Sequence, residues 1–120
     1  MEKNIQDTTA DILQRHLLAL AENDMETLMR DYAPDAELWR DENIFAGTEA
    51  IKNFYSRIFT VMPHGSTDLE IQKRIVKDDK AYLVWTAESP KISITFATDC
   101  FLIKDGKIVW QSVAAQATTK

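Results

Sequence analysis

Apolar residues repeat with a helical period in the first half of this chain and with a period of two in the second half. Residues 8–22 and 48–62 each carry apolar side chains three and four positions apart, which predicts two amphipathic helices. A short apolar stretch between Asp24 and Pro34 predicts another helix, because aspartate can cap its start and the residue before a proline avoids the α conformation. The predicted caps of the two long helices are Thr8 or Thr9 and Thr48.

The alternating pattern predicts β-strands. A short strand is expected at "AELW", residues 36–39, and a polar stretch follows it as far as Gly47. Four further strands are predicted at residues 67–77, 80–88, 92–104 and 107–116. Asp105-Gly106 is a strong hairpin signal, and the other connections are equally short, so these strands form an antiparallel meander. Helices followed by strands indicate one α+β domain, residues 1–120, with three N-terminal helices on one face of a curved antiparallel sheet.

Composition narrows the classes of partner. The formal charge of −5, without a basic cluster, argues against nucleic acid and against anionic membranes as partners. The single cysteine and two histidines lack the spacing of metal ligands, and no glycine-rich phosphate loop is present, so we predict no metal and no cofactor. The polar start and the absence of a long apolar run predict a cytoplasmic protein.

Asp99 is the residue that the pattern does not explain. In the stretch "SITFATDCFLI" it lies between Ala97 and Phe101 on one face of a predicted strand. Strict alternation groups Asp99 with Val84, Thr86, Gln111 and Val113, and puts Trp85, Ile94, Phe96 and Trp110 on the opposite face. Either the Asp99 face lines a pocket and the other face is an interface, or the Asp99 face is solvated and the other is the core. Alternation alone leaves both arrangements open.

Three segments resemble a known superfamily. They are "LLALAENDMETLMRDYAPDAEL", "GTEAIKNFYSRIF" and "FATDCFLIKDGKIV", and their order and spacing are similar to those of NTF2-like proteins, which include SnoaL-like cyclases and ketosteroid isomerases. The resemblance covers the whole chain. It implies a cone-shaped α+β fold in which helices close over the concave sheet face to form a deep apolar pocket, while the outer sheet face forms a homodimer.

The resemblance also implies roles for individual residues. The pocket carboxylic acid of ketosteroid isomerases corresponds to Asp99, and their oxyanion-binding tyrosine corresponds to His16. Their general base corresponds to Arg40, and a guanidinium cannot accept a proton, which argues against steroid isomerisation. A slip of the loop would instead bring Asp41 or Glu42 to the position of the base.

The leading hypothesis is a pocket protein for a small apolar molecule with a carbonyl or carboxylate group. As a cofactor-independent acid/base enzyme, for example an isomerase or cyclase, it would use Asp99 and His16 as titrating groups and Arg40 as a clamp. The predicted lining residues are Leu13, Leu20, Trp39, Phe54, Tyr55, Ile58, Val84, Thr86, Ala97, Phe101, Gln111 and Val113.

Three alternatives stay open. The first is a non-catalytic protein that binds a lipid-like or aromatic acid through Arg40. The second is a dimerisation module whose cavity is filled. The third is an enzyme similar to limonene-type epoxide hydrolases, which set an arginine between two carboxylates. The predicted homodimer surface is the set Trp85, Ile94, Phe96 and Trp110.

Overall fold

The computed structural model describes residues 4–120. Its elements in chain order are α1 (Ile5–Glu22), α2 (Met25–Arg30), β1 (Tyr32–Arg40), β2 (Asn43–Ala46), α3 (Thr48–Val61), β3 (Asp68–Lys77), β4 (Lys80–Glu88), β5 (Ile92–Lys104) and β6 (Lys107–Thr119). The predicted α+β architecture is confirmed. None of the described helices is long and apolar enough to span a membrane.

The six strands form one curved sheet in the order β2-β1-β6-β5-β4-β3. The predicted meander from β3 to β6 is confirmed, and Asp105 and Gly106 turn its last hairpin with positive φ angles of 52° and 74°. The expectation of a purely antiparallel sheet is wrong, because β1 pairs with β6 in parallel. Helix α1 packs on β3 and β4, and α3 packs on β1 and β2.

Several element boundaries differ from the prediction. Helix α1 begins one turn earlier, because the side chain of Asn4 accepts a hydrogen bond from the Asp7 amide at 2.8 Å. Gly47 occupies the cap position of α3 and makes no side-chain bond, so the predicted capping role of Thr48 is also wrong. The cap at Asp24 is confirmed, with a bond from the Thr27 amide at 3.2 Å. Strand β2 follows a tight turn that the polar sequence did not reveal.

One β-bulge in β5 decides which side chains share a face. Before the bulge Ala87 lies opposite Ile94, and after it Trp85 lies opposite Ala97, so β5 contains one extra residue, Thr95. Because strand side chains alternate, one extra residue exchanges the two faces of β5 relative to β4. Asp99 therefore lies opposite Leu83 and shares a face with Trp85.

Two of the polar contacts that attach α1 to the rest of the fold involve buried groups. The buried hydroxyl of Thr9 donates to the Asp78 carbonyl, in the turn between β3 and β4, at 2.7 Å. Arg15 forms an ion pair with Asp31, which is itself buried at the start of β1. These contacts hold the apolar side of α1 against the sheet, where its residues Leu13 and His16 are buried.

We predict that Thr9→Val lowers the free energy of unfolding by about 1–2 kcal/mol, since it leaves the Asp78 carbonyl without a donor. Urea denaturation measures the effect. Thr8→Val is the matched control, because Thr8 is the neighbouring helical residue and is partly exposed. Equal losses in the two variants would mean that helix propensity, and not the hydrogen bond, is responsible.

Candidate functional site

A cavity of about 100 Å³ lies between the helices and the concave face of the sheet. Most of its wall is apolar, and this part is formed by Leu20, Phe54, Ile58, Val61, Met62, Ile92, Ile94, Val113, Ala115 and Ala117. The remaining lining residues carry polar groups: Arg40, Tyr55, Trp85 and Asp99. An apolar chamber with a few convergent polar groups is the usual form of a small-molecule site.

Asp99 is 8% exposed and is held by two N–H donors from the flanking strands. The indole Nε1 of Trp85 donates to Oδ1 at 2.9 Å, and the amide Nε2 of Gln111 donates to Oδ2 at 2.9 Å. Burial raises the pKa of Asp99 from 3.8 to about 6, while these two bonds and the charge of Arg40 limit the rise. The carboxyl group therefore changes its charge close to neutral pH.

Behind Asp99 a buried polar network runs through Gln111 to α1. The Gln111 amide donates to the Tyr55 hydroxyl at 3.1 Å and accepts a hydrogen bond from Tyr32. The two hydroxyls lie 2.8 Å apart, and Tyr55 lies 3.4 Å from Nε2 of His16. Burial raises the pKa of both tyrosines above 10, so both keep their protons at neutral pH.

His16 lies at the far end of this network. It is 1% exposed, and burial lowers its pKa from 6.5 to about 4, so the imidazole is neutral at pH 7. Its Nδ1 has no hydrogen-bond partner within residues 4–120. His16 and Asp99 both border a second void of about 10 Å³, but the described contacts contain no hydrogen bond between them. The predicted His16–Asp99 pair is therefore wrong as a direct contact, and the two groups are joined only through Gln111 and Tyr55.

Arg40 lies in the same cross-strand row as Asp99. It is opposite Val113, which is opposite Asp99, so the Cα atoms of Arg40 and Asp99 are separated by two strand spacings, about 10 Å. Arg40 is half-buried, and no side chain within the described range forms an ion pair with it. Asp41 and Glu42 are exposed in the turn that follows and do not line the cavity.

Residues 13–111 match the family of SnoaL-like domains, which is most of the chain. The chain belongs to this family. None of the curated proteins matches it.

Similar solved structures include a candidate polyketide cyclase from Sinorhizobium meliloti, which is 25% identical, with a TM-score of 0.73 over 86% of this chain and 93% of that one. A candidate ketosteroid isomerase from Kribbella flavida is 9% identical, with a TM-score of 0.78 over 94% of this chain and 81% of that one. An NTF2-like protein of unknown function from Mesorhizobium loti is 19% identical, with a TM-score of 0.79 over 97% of both chains. The last two likenesses are evidence of the shared fold alone.

Several predicted positions in this SnoaL-like domain are wrong, and the bulge in β5 explains most of them. Val84 and Thr86 lie on the outer face of the sheet, opposite the cavity, because the exchange of faces brings Trp85 beside Asp99 instead. Trp39 is also on the outer face, where it is 43% exposed and stacks edge-on against Trp110. Trp85 and Ile94, predicted for the dimer surface, line the cavity.

The other predicted lining residues fall into two groups. Those that border the cavity are Leu20, Phe54, Tyr55, Ile58 and Val113. Those that are buried in the core behind it are Leu13, Ala97, Phe101 and Gln111. Sequence reasoning missed Tyr32, which was predicted to lie in the second helix, and the pairing of Trp85 with Asp99. The first error concerns a helix boundary and the second concerns the register between β4 and β5. The local pattern of apolar and polar residues specifies neither.

The size of the cavity restricts the ligand. Sites for drug-sized molecules usually enclose about 300–1,000 Å³, whereas a cavity of about 150 Å³ takes a molecule the size of benzene. About 100 Å³ therefore suits a single small ring or a short branched chain, not a steroid. Within residues 4–120 no group of three or more His, Cys, Asp or Glu side chains is arranged to hold a metal ion.

We predict that Asp99→Asn is more destabilising at pH 4 than at pH 7. The raised pKa means that Asp99 contributes stability that is complete below pH 3.8 and lost as the pH rises through about 6. The difference in unfolding free energy between wild type and variant should therefore grow by about 2 kcal/mol between pH 7 and pH 4. Urea denaturation across this pH range measures it.

The exposed Asp35 provides the matched control, and Asp35→Asn should change stability little at either pH. A difference between wild type and Asp99→Asn that is independent of pH would show that Asp99 ionises equally in the folded and unfolded chains. His16 acts in the opposite direction, since its lowered pKa makes the folded state less stable as the pH falls from 6.5 to about 4.

Proposed function

We propose that this protein binds a small apolar carbonyl compound and transfers a proton at the carbon next to the carbonyl group, with Asp99 as the acid/base. The single observation that carries the proposal is the buried Asp99 carboxylate, which faces an apolar cavity and has a pKa of about 6. The similarity to the candidate polyketide cyclase supports chemistry of this class.

Asp99 is suited to both halves of such a reaction. At pH 7 the carboxylate accepts the proton from the α-carbon, and the C–H electron pair moves into the carbonyl group to form an enolate. The protonated Asp99 then returns the proton, to a different carbon in an isomerisation or to an oxygen after ring closure in a cyclisation. A pKa near the working pH makes both transfers favourable.

Arg40 is suited to stabilise the enolate oxygen. The Arg40 side chain borders the same cavity. No carboxylate among the described residues forms an ion pair with it. A ligand placed between Arg40 and Asp99 would present its oxygen to the cation and its α-carbon to the carboxylate. Charge that develops on the oxygen in an apolar chamber interacts strongly with a cation already in place.

An epoxide hydrolase is a weaker candidate. That chemistry sets an arginine between two carboxylates, whereas Asp99 is the one carboxylate among the described residues that border this cavity. A binding function without catalysis has a specific observation in its favour, which is that no side chain in residues 4–120 forms an ion pair with Arg40. A small carboxylic acid would provide the missing counter-ion.

The direct test is exchange of the α-protons of butanone for deuterium in heavy water, monitored by proton NMR. We expect wild-type protein to accelerate the exchange, with a rate that rises with pH through about 6 as Asp99 ionises. Asp99→Asn should lower the rate at least 100-fold, the usual minimum contribution of a general base. Arg40→Met should also lower it, while Asp35→Asn serves as the control on an exposed carboxylate.

Other results would redirect or end the proposal. If Asp99→Asn exchanges protons as fast as wild type, Asp99 is not the base. If butanone does not exchange but isobutyrate stabilises the protein against heat, and Arg40→Met abolishes that effect, the protein is a binder of small acids. If neither probe binds, the cavity has no ligand of these two classes.

We also propose that the outer face of the sheet binds a second copy of this chain. The face carries two exposed aromatic side chains and a groove. The aromatic side chains are Trp39 and Phe96, which are 43% and 49% exposed. The groove has a volume of about 290 Å³ and is lined mainly by Ile75, Tyr82, Cys100, Leu102 and Trp110. In a symmetric dimer the same apolar patch of each copy would cover that of the other.

Light scattering tests this association, because a dimer has twice the 13.7 kDa mass of the chain. Phe96→Lys should convert the dimer to a monomer. Leu18→Lys is the matched control, since Leu18 is a similarly exposed apolar residue, 54% exposed, on α1 and away from the sheet. A wild-type protein that stays at 13.7 kDa at high concentration would contradict the proposal.

A further inference from the structure

Gln111 has more polar contacts than any role in packing requires. Its side chain is 0% exposed, and the two ends of its amide have different partners. Nε2 donates to Asp99 at 2.9 Å and to Tyr55 at 3.1 Å, while Oε1 accepts from Tyr32 and, at 3.3 Å, from the Tyr55 hydroxyl. An amide that is fully paired on both sides has one orientation, and a change in any partner must be accommodated by the others.

The charge of Asp99 fixes that orientation. An ionised carboxylate only accepts hydrogen bonds, so the NH₂ end of Gln111 must face it. Each carboxylate oxygen accepts one N–H, but the indole of Trp85 has no acceptor to present, whereas the amide of Gln111 carries an oxygen. Oδ2, the oxygen next to Gln111, is therefore the one to take a proton. Once Oδ2 carries a proton, it and the NH₂ group are two donors facing each other.

We propose that Gln111 is a positioning residue that holds Asp99 as a carboxylate, and that its amide reverses when Asp99 gains a proton. After reversal Oε1 accepts from the protonated Asp99, and Nε2 donates to the hydroxyl oxygens of Tyr32 and Tyr55. No covalent bond is made or broken by the reversal. It is a rotation of the amide with a redirection of hydroxyl protons.

The reversal reaches His16 through the two tyrosines. The Tyr32 hydroxyl loses its acceptor on Gln111, and its nearest other acceptor is the Tyr55 oxygen at 2.8 Å. Tyr55 must then donate elsewhere, and Nε2 of His16 lies 3.4 Å away. Because His16 is neutral at this pH, its ring can accept that bond. This gives a physical reason for a histidine that is buried without a charged partner in hydrogen-bonding range.

Few other charges act on this network. Arg40 on β1 lowers the pKa of Asp99, and Asp31 at the start of β1 raises the pKa of His16. The side chains of β3 and β4 that border the void between His16 and Asp99 do not titrate; they are Leu69, Ile71, Leu83 and Trp85. Asp99 is therefore the group within this network that titrates near pH 6.

The catalytic consequence rests on the proposed function. If Asp99 is the base, reversal of Gln111 provides the newly formed carboxylic acid with an acceptor and prolongs the protonated state until the proton is returned. The structural part of the inference, the coupling of Asp99 to His16, does not depend on any reaction.

The experiment is an NMR titration of the unliganded protein from pH 4.5 to 8, which follows the Asp99 carboxyl carbon and the His16 ring nitrogens. In wild type we expect a step in the His16 nitrogen shifts at the Asp99 midpoint, near pH 6, well above the pKa of about 4 at which His16 itself gains a proton. In Gln111→Met the Asp99 midpoint should rise by about one pH unit or more, and His16 should lose the step.

Two variants keep the result decisive. Trp85→Phe removes the other donor to Asp99, so the Asp99 midpoint should rise while His16 keeps its step. Gln116→Met changes an exposed glutamine on the same strand and should alter neither signal. A wild-type His16 without a step at the Asp99 midpoint overturns the inference even if Gln111→Met does not fold. A step that persists unmoved in Gln111→Met overturns it too.

Failure of the proposed function has a different signature. If the titrations of Asp99 and His16 are coupled but ketone protons do not exchange, the reversal of Gln111 is supported and the catalytic role proposed for Asp99 is not.

Discussion

The structure depends on keeping one carboxyl group hydrogen-bonded inside an apolar wall. An ionised carboxylate removed from water costs several kcal/mol unless polar partners replace the water. Asp99 obtains these partners from the strands on either side, an indole N–H from Trp85 and an amide N–H from Gln111. The arrangement requires β4, β5 and β6 in one register, and the extra residue in β5 sets it. The strand register therefore determines which polar groups surround the carboxylate in the cavity.

Burial shifts the pKa values of the two titrating groups in opposite directions. Asp99 borders the cavity and is shifted toward neutral pH, whereas His16 is buried behind it and is shifted far below neutral pH. In a direct ion pair the pKa of Asp99 would fall and the pKa of His16 would rise. Burial without such a pair has the opposite effect on each group, so Asp99 titrates near pH 6 and His16 is a neutral hydrogen-bonding ring at pH 7. Membership of the SnoaL-like family describes the fold, whereas these pKa shifts follow from this chain's own buried side chains.

Much of the architecture could be predicted because it is encoded locally. The stripes of α1 and α3, the cap at Asp24, and the Asp105-Gly106 turn each depend on residues close together in the chain. Boundaries were predicted less well where a distant contact decides them. Thr9 resembles a helix cap but is used to attach α1 to the turn at Asp78, and Tyr32 resembles a helical residue but pairs with Ile108 in the sheet.

The sequence by itself determined the α+β class, the order of the three helices and of every strand except β2, and the presence of a carboxylate among apolar neighbours. Only the tertiary structure decided what that carboxylate contacts. Both faces of β4 and β5 are apolar, so hydrophobicity does not specify the register between them, and a single bulge at Thr95 selects Trp85 rather than Val84 or Thr86 as the neighbour of Asp99. Long-range register is a property of paired strands, and the pattern of one strand does not contain it.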